Sequence, residues 1–223
     1  RLTTITETNS IVSTRLEASQ ASLATLVSSA ESFVGQLLAS SIDGANASVL
    51  KTQAASGLDG FIDTTNTSLN NAYLFAGVNT DAKPITDYYE TPAPANKAAV
   101  DAAFLAHFGF TQSDPNVANI TAADMTNFLD TTFAAVFDDP AWTTNWSSAS
   151  DQNVRNRIST NELIETSVNA NDQAFRKMAM AYTMIADLGL EGLGDAAYET
   201  FVNRAGSVSN EAIYAFSGPP AKP

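Results

Sequence analysis

The sequence contains no cysteine among its 223 residues. Disulfides, thiolate nucleophiles, iron-sulfur clusters and Cys-based zinc sites are excluded together. It contains one histidine, His107, so a His-Glu-x-x-His zinc site, which needs a second imidazole one helical turn away, is out of reach. Basic residues are scarce: 11 Lys and Arg stand against 24 Asp and Glu, a formal net charge of −13. Affinity for nucleic acid comes largely from Lys and Arg displacing counterions from phosphates, so nucleic acid and anionic membranes are poor partners. No apolar run approaches the ~20 residues that cross a bilayer. Phosphate-binding loops, paired-glycine dinucleotide turns and Gly-x-Ser-x-Gly elbows are also missing. With no convergent nucleophile, base or metal set, the expectation is a protein that is not an enzyme and carries no cofactor. The chain starts at Arg1 with neither an initiator Met nor a signal-peptide pattern, which suits a trimmed piece or an export route without signal cleavage.

A composition of 44% hydrophobic and 16% charged residues supports one sizeable core, or a core with a smaller insert. Leu2, Ile5, Val12, Leu16, Leu23, Leu26, Ala30, Phe33 and Leu37 follow alternating steps of three and four, with Asn9 and Ser19 completing the series. That heptad seam predicts one helix of roughly 50 Å, suited to a side-by-side bundle. Asp43, Gly44 and Asn46 mark a turn. A second helical stretch then carries Val49, Leu50, Ala54, Leu58, Phe61, Ile62, Leu69 and Ala72.

Between residues 81 and 150 the composition changes. Pro84, Pro92, Pro94, Pro115 and Pro140 punctuate it, and both Trp residues lie here among many Phe and Tyr. A small inserted domain with its own core is expected, with helices near 96–107 and 122–137, the second opened by Thr121 and Asp124 as a capping box. Residues 154–168 alternate about a turn at Thr160 and Asn161, which predicts a β-hairpin. Asn171 or Asp172 caps a helix carrying Phe175, Met178, Tyr182, Ile185 and Leu188. A last helix from Asp195 repeats the heptad spacing at Tyr198, Phe201, Ala205, Val208 and Ala212, until Ser217-Gly218-Pro219-Pro220 breaks it. The expected fold class is mainly α (α+β): an elongated heptad-patterned bundle built from both chain ends (1–80 and 151–216), a small hairpin, an aromatic-rich outer domain (81–150) projecting from its far end, and a flexible tail (217–223). Leu16, Leu23, Leu26, Phe201 and Val208 are expected in one core.

Two segments carry a resemblance. Tyr73-Leu74-Phe75-Ala76-Gly77-Val78-Asn79-Thr80 resembles the Tyr-Leu-Phe-Gly-Gly-Thr-Asn-Thr segment of the hook-associated protein 3 family within the flagellin superfamily. Glu165 to Asp172, with Phe175-Arg176-Lys177, resembles the segment by which such chains re-enter their helical domain. Ala76 and Val78 depart from the family's Gly and Thr. The likeness covers about residues 1–80 and 150–216 and omits the middle. It implies a rod of packed helices with an outer insert, trimmed at both termini. It also implies type III export without signal cleavage and a place in the extracellular flagellum at the hook-filament junction. The implied partners are hook-associated protein 1, flagellin, copies of itself and an export chaperone. A filament flagellin is the alternative, and a surface adhesin or carbohydrate-binding module stands further off.

Other residues read more plainly. His107 is expected to pack or face solvent, and Asp130, Asp138 and Asp139 to form solvated acidic turns, since no calcium-loop spacing accompanies them. Trp142 and Trp146 suit a core or a subunit contact, with sugar stacking as the other reading. Asn46, Asn66, Asn119 and Asn145 fit the N-glycosylation pattern by coincidence of composition.

Overall fold

The structure is a computed structural model that describes residues 2–40, 46–159 and 162–218, with side chains from residue 8 onward. Leu2 and Ile5 of the seam, the turn at Asp43 and Gly44, the turn at Thr160 and Asn161, and Pro219-Pro220 lie outside the described residues or side chains. The described fold is mainly α, with helices α1 (Leu2–Ser40), α2 (Ala47–Thr65), α3 (Ala95–Phe108), α4 (Ala122–Phe128), α5 (Ala141–Asn145), α6 (Gln173–Asp187) and α7 (Asp195–Ser217). Two antiparallel hairpins pair β1 (Ser68–Leu69) with β2 (Ala72–Tyr73) and β3 (Arg155–Arg157) with β4 (Leu163–Glu165).

The centre of the molecule is α6. Most of its residues, including Ala179, Ala181, Ala186, Met178 and Met184, are buried, with Gln173, Lys177 and Asp187 left at its less covered positions. It packs against α2, α7 and the helical turn at 134–137. α1 buries Val12, Ser19, Leu26, Ala30, Phe33, Leu37 and Ser40 and lies against α2 and α7. Leu38 shares a groove with Val202 and Asn203, whereas Leu23 lies beside Phe216, so α1 and α7 are antiparallel. About 30 Å of α1, at 1.5 Å per residue, therefore extends beyond Ser217. This outer half runs beside β3 and β4: the Asn9 side-chain amide donates to the Ile158 carbonyl at 3.2 Å.

Several expectations need correction. The second helix ends at Thr65 rather than continuing to Ala72. Asn70 and Asn71 take φ of 52° and 62°, and two consecutive positive φ angles make the tight turn that closes a two-residue hairpin; Leu69 and Ala72 pair across it. The helix expected over 122–137 changes pitch, passing from α4 into a π turn at Leu129–Phe133 and a 3-10 turn at Ala134–Phe137. The re-aimed residues let Phe128, Leu129, Phe133 and Phe137 all point inward and bury. Of the five residues expected in one core, Leu26, Phe201 and Val208 are buried together and Leu23 packs at their edge, while Leu16 is half-exposed on the outer half of α1. Tyr198, Ala205 and Ala212 are buried with the α7 seam.

The aromatic segment at 81–150 shares its core with the helices. Phe104, Phe128, Phe133, Trp142 and Trp146 belong to one apolar cluster continuous with Phe33, Phe61 and Phe201. α4 packs on α7 and the 134–137 turn packs on α6. The boundaries at 80 and 150 mark a change of composition; the apolar core runs across them.

Candidate functional site

The two segments that carry the resemblance lie about ninety residues apart in sequence, and the fold brings them into backbone contact. Ala76 and Asn169 form an antiparallel bridge, and the Ala170 N–H donates to the Phe75 carbonyl at 2.8 Å. Leu74, Phe75 and Ala76 are fully buried, with the Phe75 ring 5.3 Å from that of Phe175 at the start of α6. Tyr73 receives a hydrogen bond at its carbonyl from Arg15 of α1, and its N–H donates to Thr80 at 2.7 Å.

Gly77 explains why this strand can run so close to the next one. Its φ is +61°, and a Cβ there would stand 2.4 Å from the Ser150 carbonyl oxygen and 2.6 Å from that of Gln152, so no side chain fits, and Gly takes up the left-handed backbone without steric cost. The neighbouring Val78 N–H donates to Gln152 O, the Ser150 N–H to Ala76 O, and Asn79 Nδ2 to Ser148 O.

A polar knot sits beneath the second segment. Asn171, buried, accepts the indole N–H of Trp142 at 3.0 Å and donates to Ala149 O and to Asp151 Oδ1. Its N–H is held by Asn169 Oδ1, and Asn169 Nδ2 donates to Asn153 Oδ1. Arg176 donates through Nε to Asn171 O at 2.7 Å and pairs with Asp139 at 2.8 Å, while its guanidinium covers the Trp142 ring. The hydrogen bond from Arg176, followed by its charge, holds the Asp139 carboxyl below the usual carboxylate range. Asp172 heads α6 as its N-cap residue without a side-chain cap bond; burial pushes its carboxyl up. Asn171, Asn169, Arg176 and Asp139 are each committed to backbone or to a neighbouring side chain, so the knot holds the segments together.

Trp142 and Trp146 stack at 5.6 Å and are fully buried, which removes them as a sugar platform and places them in the core. Asp130 pairs with Arg204. His107 meets Thr132 through Nδ1 at 3.1 Å and packs against Phe108 and Phe128. Asn66 is committed to the backbone of Ile85, donating to its carbonyl and accepting its N–H, both at 2.9 Å. Among the described residues no three His, Asp or Glu side chains gather as a metal site would require.

Sequence reading missed a second charged network. A cleft of about 850 Å³ opens between α3, residues 111–118 and the end of α6. Along its wall Lys97 reaches both Asp101 and Asp187 and Gln112 donates to Asp101, and behind the wall the buried Tyr88 hydroxyl donates to Asp187 at 2.6 Å. Burial raises the Asp187 carboxyl above its ordinary range, against the pull of Tyr88 and Lys97. Burial also raises the Tyr88 phenol, assisted by the Asp187 charge. Lys97 is disfavoured as a cation by burial, yet Asp101 and Asp187 together keep its pKa above the usual value. These groups satisfy one another and tie the aromatic segment to α6. The only sequence signal was Lys97 and Asp101 at i and i+4; Tyr88 and Asp187 are 99 positions apart.

No protein family, no curated protein and no solved structure matches this chain. Among the described residues no helix is long and apolar enough to cross a membrane.

Proposed function

We propose that this chain is the folded body of a flagellar axial protein of the hook-associated protein 3 type, a structural subunit that joins hook to filament by packing against its neighbours. In this reading α1 and α7 form the heptad-patterned rod, and the protein acts outside the cell at the hook-filament junction after type III export without signal cleavage. Its neighbours there are hook-associated protein 1, flagellin and further copies of itself, with an export chaperone before assembly. A filament flagellin is the second reading, because the same segments belong to the wider superfamily.

The observation that carries the proposal is the junction of the two resembling segments. Their residues meet backbone to backbone, through Ala76 with Asn169 and Phe75 with Ala170, where a chain leaving a helical rod and returning to it has to close.

The test is complementation. In a motile bacterium lacking its junction protein, a gene in which this chain replaces the corresponding body of that strain's own protein should restore filaments and swimming. Swimming regained only when the chain replaces the body of flagellin would select the second reading. Export of a folded chimera that yields hooks without filaments in both settings would overturn the proposal.

A further inference from the structure

One surface feature is left unused by the fold. Between α1 and α2 lies a hollow of about 270 Å³ ringed by Ser28, Ser29, Ser32 and Gln36 of α1 and Gln53 of α2. Its floor is Gly57 and the side chain of Tyr182, which reaches out from α6 and passes beneath the glycine: a Cβ at Gly57 would stand 2.4 Å from Tyr182 Cε1. The Tyr182 residue is 2% exposed. Among the described residues nothing hydrogen-bonds its hydroxyl, and burial alone pushes the phenol up to about 12, so it keeps its proton. The hydroxyl keeps access to solvent through the hollow, and a group arriving there exchanges water for a direct hydrogen bond.

The surroundings of the hollow say what kind of group can arrive. From residue 18 to residue 40 only Glu31 is charged, on a chain whose net charge is −13. Two copies repel through most of their surface, and contact cores are depleted in charge. The matching surface is on α7. Asn203, Ser207, Asn210 and Tyr214, at steps of four, three and four, are exposed, uncharged and able to hydrogen-bond, and Tyr214 is 60% exposed. Heights agree as well: Val34 and Leu38 lie level with Asn203 and Ser207, and Leu23 with Phe216, so the hollow at α1 residues 28–36 stands at the height of the α7 stripe.

We propose that the α7 stripe of one copy seats in the α1–α2 hollow of a second copy beside it, an Asn carboxamide or the Tyr214 hydroxyl meeting the hydroxyl of Tyr182. This rests on the reading of the chain as an assembling subunit and names the side-by-side contact. α2 and α7 flank α1 on different sides, so each copy offers both halves. The contact is heterologous and repeats from copy to copy instead of closing a pair.

The absence of native cysteine makes the test direct. Ser29→Cys and Asn210→Cys are both exposed positions. A chain carrying both, concentrated under mild oxidation, should give a ladder of disulfide-linked dimers, trimers and longer species, and each single variant should give none. Adding Tyr182→Phe, which keeps the ring, should lower the ladder yield several-fold while the melting temperature holds. If the first pair disturbs melting, Ser32→Cys with Asn203→Cys replaces it. Dimers from Ser29→Cys alone would show the hollow closing on itself and overturn the proposal, as would no ladder from a folded double variant. A missing ladder in a body that still restores swimming would sink this contact and leave the assembly reading standing.

Discussion

Replacing Gly57 with Ala sets two known effects against each other, and the geometry decides the sign. Inside α2 the change should stabilise by about 1 kcal/mol through helix propensity. The new methyl, however, would lie 2.4 Å from Tyr182 Cε1 and 2.9 Å from Cδ1. Ordinary carbon contacts are about 3.5–4.0 Å, so the ring has to retreat by about 1 Å. Retreat into the core disturbs Phe33, whose ring centroid is 4.6 Å away, or Phe61 at 6.4 Å, and a swing outward into the hollow uncovers buried ring surface. Overpacking of that kind costs about 1–3 kcal/mol, which leaves a net loss of up to about 2 kcal/mol, or a fall of several degrees in a chain of this length. Gly60 is the control: it sits in the same helix, and a Cβ there meets nothing within 4 Å. Gly60→Ala should therefore raise the melting temperature by about 2–4 °C per kcal/mol gained. In a Tyr182→Ala background the obstacle is gone, and Gly57→Ala should turn stabilising by about 1 kcal/mol. Urea melts of the five proteins measure all of this. Equal stabilisation by Gly57→Ala and Gly60→Ala in the parent chain would refute the argument that Tyr182 is wedged beneath Gly57.

Two further outcomes follow from the buried polar groups. Asn171→Ala removes the acceptor of the Trp142 indole N–H together with two donated bonds; stranding a buried indole donor should cost about 1–3 kcal/mol, read by denaturant melts monitored through tryptophan fluorescence. The carboxyls of Asp187, Asp172 and Asp59 are all raised by burial, so the folded chain binds protons more readily than the unfolded one, and stability should increase as pH falls from neutral through those raised values toward the ordinary carboxylate range. Below that range the gain is spent and the lowered groups Asp139 and Glu191, held down by Arg176 and Lys51, lose stability as they protonate; calorimetry across pH should show a maximum on the acid side of neutrality, less pronounced in Asp187→Asn.

The parts of this fold that were legible in sequence are those written in local periodicity. The seam from Val12 to Leu37, the cap at Thr121 and the alternation around Ile164 each depend on neighbours within a few residues, and helices or strands appear there. The hairpin turn at Asn70-Asn71 was legible in principle, since Asn is among the residues that tolerate positive φ, but the apolar spacing of Leu69 and Ala72 fitted a helix equally well. What sequence spacing cannot supply is a partner found only by folding. Nothing near Asp187 points to Tyr88, and nothing near Gly57 announces that a tyrosine from α6 will pass under it. The extra core of the aromatic segment was misread for the same reason: a run of Phe and Trp shows that apolar surface will be buried, and leaves open that α6 and α7 are what it is buried against.

The distribution of burial along α1 adds one step to the functional reading. From Leu26 to Leu37 the helix buries four apolar side chains, whereas from residue 8 to residue 25 only Val12 and Ser19 are buried, and Ile11 stands 64% exposed. Helical stability in proteins comes mostly from tertiary packing of an apolar face and less from intrinsic propensity. The free energy of local opening therefore falls toward the outer half of α1, which leans on a short hairpin and on the Arg15 contact to Tyr73. A neighbour that covers this half in an assembly gains stabilisation that the isolated chain lacks. The inner half, already anchored on α6 and α7, gains little from cover and serves instead as the rigid surface on which the hollow above Tyr182 is held in shape. In the proposed assembly, order gained on contact and shape prepared in advance would occupy different halves of one helix, with the change between them at the region around Leu23 and Phe216, where α7 ends beside α1.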